Sequence, residues 1–302
     1  MWLPIVIISQ FANAIALFLD KFLLTKKFPR PAVITFWTSV GNLLALVFVF
    51  WDFEMFPGWK IMILSLIAGA VFTIGLQFLY LGIKEGEVSH ITPLTGAVVP
   101  VVTFIISYFW LGEMLAMGQL IGVLFLVFGA LLISFEKSVR HNGLHIGMLW
   151  AVIAGVFFAV SFTLLRGVFM EVSFSTGFVW SRIGAFAAAL PLLLLPGMLK
   201  DVFGGGTKKK RKDTSSGLLI LAINKFFAAI YFIGMNYAIA LVSATLVNAL
   251  AGLQYAILFL IIFVSTKLFP RFMKEKFTRG EIVQQVLAIV LIMIGLGLII
   301  IV

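Results

Sequence analysis

The chain has 302 residues, 62% of them hydrophobic and 11% charged. Soluble globular proteins carry roughly 45–50% apolar and about 25% charged residues, so this chain, with a mean hydropathy of +1.17, cannot cover a water-facing surface, and a soluble enzyme is excluded. The net charge of +10 gathers in loops on one side, which argues against a nucleic-acid partner, and the absence of cysteine rules out disulfides, thiolate metal sites and cysteine nucleophiles.

A helix needs about 20 apolar residues to cross a hydrocarbon core of about 30 Å. Runs of this kind predict ten spans, at 2–24, 32–51, 59–83, 89–111, 117–135, 144–166, 173–197, 217–241, 243–266 and 281–302. They are about twice the length of a barrel strand and do not alternate in polarity, so the expected fold class is an all-α membrane protein with ten transmembrane helices. The first span has no basic n-region and no small-residue cleavage site, and reads as a retained helix. Lys84-Glu85-Gly86-Glu87 separates the third and fourth spans, while the eighth and ninth meet at Leu241-Val242-Ser243.

Loops after spans 1, 3, 5, 7 and 9 share one face. They collect Lys21, Lys26, Lys27, Arg30, Lys84, Lys137, Arg140, Lys200, Lys208 to Lys212, Lys267, Arg271, Lys274, Lys276 and Arg279, which is 18 of the 22 basic residues. The positive-inside rule puts that face in the cytoplasm and both termini outside, as expected for a multi-pass plasma-membrane protein. The low-complexity run Phe203 to Gly217, which overlaps a basic loop at about 200–216, is expected to be flexible and cytoplasmic. It serves as a stop-transfer signal or as a contact for anionic headgroups, at about 1 kcal/mol per basic residue.

The two halves look alike. Phe36-Trp37-Thr38-Ser39-Val40-Gly41 parallels Val179-Trp180-Ser181-Arg182-Ile183-Gly184. Gln119 and Gly129 match Gln285 and Gly295, Phe78-Leu79-Tyr80 matches Met235-Asn236-Tyr237, and Val88-Ser89 matches Val242-Ser243. The order of these matches predicts a duplication into five-helix units at 1–136 and 137–302. Five is odd, so the second unit enters the membrane inverted, an arrangement common in secondary transporters with midplane sites.

On Val88-Ser89 through Pro100-Val101 to Leu111-Gly112-Glu113, then Gln119 and Gly122, the sequence resembles the EamA-type ten-helix branch of the drug/metabolite transporter superfamily. The second half departs from the pattern, with Gln254 where a proline is expected and a basic segment, Lys267 to Arg279, in place of Gly-Glu. The resemblance implies a secondary carrier, usually an exporter of small metabolites, with its substrate between two bundles. It implies no cofactor.

Charged groups inside spans should face a partner or a cavity. Arg182 lies roughly 14 Å and Lys225 roughly 12 Å from the nearer helix end at 1.5 Å per residue. All 12 acids map to loops or span ends, so neither cation has an acidic partner in this reading. Two readings stand: a cationic pocket for a carboxylate or phosphate, with Arg182 binding bidentately and Lys225 as a point charge, or side chains that bond backbone carbonyls and amides. Gln77, Tyr80, Asn236, Asn248 and Gln254, with Asn13, Asn42 and Asn224, either line the same cavity or hydrogen-bond between helices. Gln77 and Tyr80, three apart, share a face.

Pro93, Gly96 and Pro100 interrupt the fourth span as a hinge or a fixed kink. Gly118, Gly122, Gly129, Gly295 and Gly297 read as close-packing positions. His141 and His145 lack a third ligand, so no metal site is expected. His90 either titrates in a proton-coupled cycle or is an ordinary interfacial residue.

No intramembrane carboxylate pair, H-E-x-x-H, G-x-S-x-G or phosphate loop appears, and no catalytic residues are assigned. The expected function is alternating-access export of small acidic or amphoteric solutes, with a membrane enzyme and a channel or scaffold subunit as alternatives. The expected partners are the solute, a coupling proton or ion and the lipid bilayer, with the chain a monomer or homodimer. A C-terminal tag should be open to external protease in intact cells; a protected tag would overturn the assigned orientation.

Overall fold

The computed structural model describes residues 2–26, 30–86, 88–134, 146–203, 208–268 and 279–301. Lys27, Lys137, Arg140, His141, His145, Arg271, Lys274 and Lys276 lie outside them.

The spanning helices are α1 Trp2–Lys26, α2 Pro31–Gly41, α3 Trp59–Glu85, α4 Val88–Ile106 and α5 Met117–Ser134. The second half supplies α6 Ile146–Glu171, α7 Phe174–Ala189, α8 Lys208–Leu241, α9 Ala244–Ala249 with Ala251–Leu268, and α10 Arg279–Ile301. Among the described residues nine helices are long and apolar enough to cross a bilayer, and Met117–Ile133 is a shorter apolar one. This is a multi-pass, all-helical membrane protein with the expected ten-helix fold.

Tighter and looser turns adjust the helix lengths. Pro31 sits in the first turn of α2, where its missing N–H costs no intrahelical bond. The helix then tightens into the 3₁₀ segment Asn42–Phe50, whose larger rise per residue brings the whole span to about 35 Å. In α4, Pro93 and Pro100 lie inside a continuous helix that closes through a π turn, Ser107–Leu111. In α9 the break falls at Leu250 without any proline.

Two expectations change. The stretch expected to be a loop is helical from Lys208, because α8 begins there. Lysine and arginine are good helix formers, and these turns extend α8 beyond its apolar span Leu219–Leu241. Gly297 is not a close-packing position, having nothing within 4 Å of a Cβ built on it. By contrast, Cβ atoms on Gly122 and Gly295 would lie 2.9 and 2.7 Å from each other's carbonyl oxygens, so α5 and α10 cross backbone to backbone.

The helix contacts repeat. Replacing each helix by the one five further on converts α3–α6 into α8–α1, α4–α6 into α9–α1, and α4–α5 into α9–α10. The pairs α5–α10, α4–α9 and α2–α7 map onto themselves. The repeat extends to side chains near helix ends. Lys21 of α1 donates to the carbonyls of Ile83 and Gly86 at the end of α3, at 2.9 and 2.6 Å. Arg166 of α6 donates to Ile239 and Ala240 at the end of α8, both at 3.0 Å. A cation over terminal carbonyls meets the negative end of the helix dipole.

One crossing breaks the symmetry. Between α3 and α7, a Cβ on Gly69 would overlap the Ser181 carbonyl oxygen, and one on Gly184 the Leu66 backbone. Thr73 Oγ1 also donates to the Ala185 carbonyl at 2.9 Å. At the equivalent crossing of α8 with α2, Gly41 faces the Lys225 stem, 3.8 Å from a built Cβ. Gly184→Leu should therefore force α3 and α7 apart and abolish monodisperse protein in detergent, whereas Gly297→Ala should leave the elution profile unchanged. Normal behaviour of Gly184→Leu would contradict this packing.

Candidate functional site

A cavity lies between the halves, walled by α1, α2, α3, α4, α6, α8 and α9. Polar side chains converge on it, Asp20, Thr38, Tyr80, Lys225, Asn248 and Gln254 among them. Apolar walls come from residues such as Phe72, Phe158 and Phe162. A chamber with apolar walls and converging polar groups is the usual form of a small-solute site.

Lys225 is paired, and this corrects the reading from sequence. Its Nζ lies 3.9 Å from Asp20 Oδ1, with Asp20 buried and Lys225 partly buried. It donates to Thr38 Oγ1 at 2.6 Å, and the Tyr80 hydroxyl donates to Asp20 Oδ2 at 3.2 Å. Asp20 looked like a span-end residue because it precedes Lys21. In fact α1 runs on to Lys26, which leaves Asp20 about 9 Å inside the helix end. Lys225 is at a similar depth from Leu219, where the apolar span of α8 begins, so the two charges meet at one level.

Arg182 has no such partner. It is 2% exposed, and its guanidinium carbon sits 5.1–5.6 Å from the ring centres of Phe72, Phe178 and Phe232. Cation–π attraction of about 2 kcal/mol or more in desolvated settings offsets part of its burial cost. Its Nε donates weakly to Ser181 Oγ at 3.3 Å. Its Nη1 and Nη2 have no hydrogen-bond partner among the described residues. Arg182 lines a second chamber, with Asn42 and Phe178. Thr38, Lys225, Ala228 and Phe232 line both chambers, so Lys225 stands on their shared wall.

The remaining expected site residues divide. Asn13 Nδ2 donates to Gln254 Oε1 at 2.6 Å, joining α1 to α9 across the cavity. Asn248 lines the cavity with an unpartnered Nδ2. Gln77 lines neither chamber; it accepts from Thr35 Oγ1 at 2.7 Å, so only Tyr80 of that pair faces inward. Asn236 also lines neither and donates to the Phe232 carbonyl of its own helix at 2.8 Å. Asn224 donates to the Ala16 carbonyl at 2.7 Å, tying α8 to α1. His90 Nδ1 lies 3.1 Å from the Ile133 carbonyl, a contact between α4 and α5.

The motif Gly112-Glu113 gains a physical role. Gly112 takes a left-handed φ of 67° that ends the π turn, a conformation glycine adopts at no steric cost. Glu113 then pairs with Arg166 Nε at 2.9 Å and accepts from Ser243 Oγ at 2.9 Å. Ser243 also caps α9 at the Thr245 N–H. At this end, four segments are held by one carboxylate and one guanidinium.

Residues 1–135 match the EamA-like transporter family. That match agrees with the drug/metabolite transporter superfamily and points to a membrane transporter. A 78-residue stretch is 30% identical to an uncharacterised protein of Methanocaldococcus jannaschii and covers 26% of this chain. The alignment spans about half that relative's length, 56%. A solved crystal structure covers 96% of this chain and 95% of its own, with a TM-score of 0.63 at 16% identity. That likeness concerns the fold.

Lys225→Met would leave Asp20 buried without a counter-charge, a loss of about 3–5 kcal/mol. Thermal unfolding in detergent should show a marked fall in midpoint, largely restored by adding Asp20→Asn. Equal stability of the single and double variants would rule out the pairing.

Proposed function

We propose that this protein is a secondary transporter of small acidic or amphoteric metabolites, working by alternating access and exporting them from the cytoplasm. The observation that carries the reading is Arg182: a buried guanidinium with two unpartnered nitrogens beside a chamber shared with Lys225. A solute carboxylate there gains charge-assisted, potentially bidentate hydrogen bonds. The Asp20–Lys225 pair favours amphoteric solutes, because Asp20 offers a counter-charge to an ammonium. A permanent cation would meet Arg182 in a low-dielectric site, where like charges repel strongly.

The repeats at 1–136 and 137–302 supply two bundles that rock about this cavity. Pro93, Gly96 and Pro100 supply the hinge of α4 beside it, and a Cβ on Gly96 would overlap the Tyr255 ring and hydroxyl. The protein resides in the plasma membrane with both termini outside, as a monomer or homodimer.

Counterflow in liposomes with labelled glutamate, succinate and lactate tests this reading, since a carrier exchanges label and a channel does not. Arg182→Gln should weaken binding by about 1.5–3 kcal/mol, or about tenfold to a hundredfold. Transport of tetraphenylphosphonium, undiminished in Arg182→Gln, would refute it.

A further inference from the structure

Among the described residues, the unpartnered polar side-chain atoms on the wall of the second chamber are Arg182 Nη1 and Nη2 and Asn42 Nδ2. All are donors. Lys225, on the wall shared with the main cavity, is already engaged by Thr38 at 2.6 Å and faces Asp20 at 3.9 Å. With Lys225 and Asp20 offsetting each other, the second chamber keeps the single positive charge of Arg182. One carboxylate answers that demand, because it accepts only and carries one negative charge.

The mouth of this chamber opens sideways. α3 packs closely along α7, whereas α2 and its 3₁₀ continuation have little backbone contact with α8 at the equivalent crossing. The gap between them is edged by Leu44, 70% exposed, and Ile233, 36% exposed. Between these edges the walls are small residues, Gly41 and Ala229. Leu44 and Ile233 sit well inside the apolar spans Pro31–Phe50 and Leu219–Leu241. The mouth therefore meets acyl chains, at a depth that water does not reach.

We propose that this chamber binds a monocarboxylate with an apolar chain, drawn from the bilayer, its acid group on Arg182 and Asn42 and its chain in the seam between α2 and α8. This rests on the reading of Arg182 as the partner of a carboxylate and names the kind of acid that partner takes. A compact polar acid has no path through hydrocarbon to this mouth. An acid with a long apolar tail is already dissolved beside it.

The head group, and not the tail, selects the ligand. Lipid tails are as apolar as the seam, so moving a chain from one to the other gains little. Arg182, by contrast, gains hydrogen bonds that the rings of Phe72, Phe178 and Phe232 do not supply. A phospholipid tail lying in the seam leaves the guanidinium nitrogens as they were. An alcohol of the same chain length brings a hydroxyl without a charge.

The test is binding of tritiated decanoate to the full chain in phosphatidylcholine nanodiscs, with empty nanodiscs as the background. Saturable binding is expected, and an equal concentration of decanol should not displace it. Arg182→Gln should weaken it about tenfold to a hundredfold. Ala229→Phe, which fills the seam, should abolish it with an unchanged elution profile. Displacement by decanol, or undiminished binding in either variant, would overturn the proposal. Counterflow of lactate separates it from the wider transport reading. Lactate exchange without saturable decanoate binding would overturn the proposal alone, whereas decanoate binding without lactate exchange would uphold it against the wider reading.

Discussion

A charge within the hydrocarbon region costs about 2.5–3.5 kcal/mol on insertion scales, and this chain places Arg182, Lys225 and Asp20 inside its spans. The architecture around them meets that cost in two ways. Lys225 and Asp20 are brought to one level on facing helices, Lys225 donating to Thr38 and Asp20 accepting from Tyr80, with those two hydroxyls 3.4 Å apart. Arg182 is held among the faces of three phenylalanines.

The fold was largely legible in the sequence because hydrocarbon restricts a spanning chain so severely. Only helices or closed barrels satisfy the backbone there, and apolar runs of fixed length reveal them. The boundary at Leu241-Val242-Ser243 has a local cause that the structure supplies: Ser243 caps the next helix. The start of α8 at Lys208 was not legible, because a basic run reads as solvent-facing whether or not it is helical.

The site was legible in part. Arg182, Lys225, Tyr80, Asn248 and Gln254 stand out as polar residues in apolar runs, and all line one chamber or the other. Asp20 counts as a span-end acid when the first span is taken to close at 24. Its side chain and that of Lys21 point to different places, one into the cavity and one onto the end of α3. Gln77 and Asn236 show the converse: a polar residue in a span is spent equally well on a neighbouring hydroxyl or its own helix. Only tertiary structure separates these cases.

The unequal helix crossings give the molecule a direction. Where α3 meets α7 the backbones already touch, so that seam has no travel left inward. Where α2 meets α8 a lysine stem occupies the corresponding place, and the gap is bordered by Leu44, 70% exposed. In a bilayer this border faces lipid tails. The first seam behaves as the spine of a book and the second as its fore-edge.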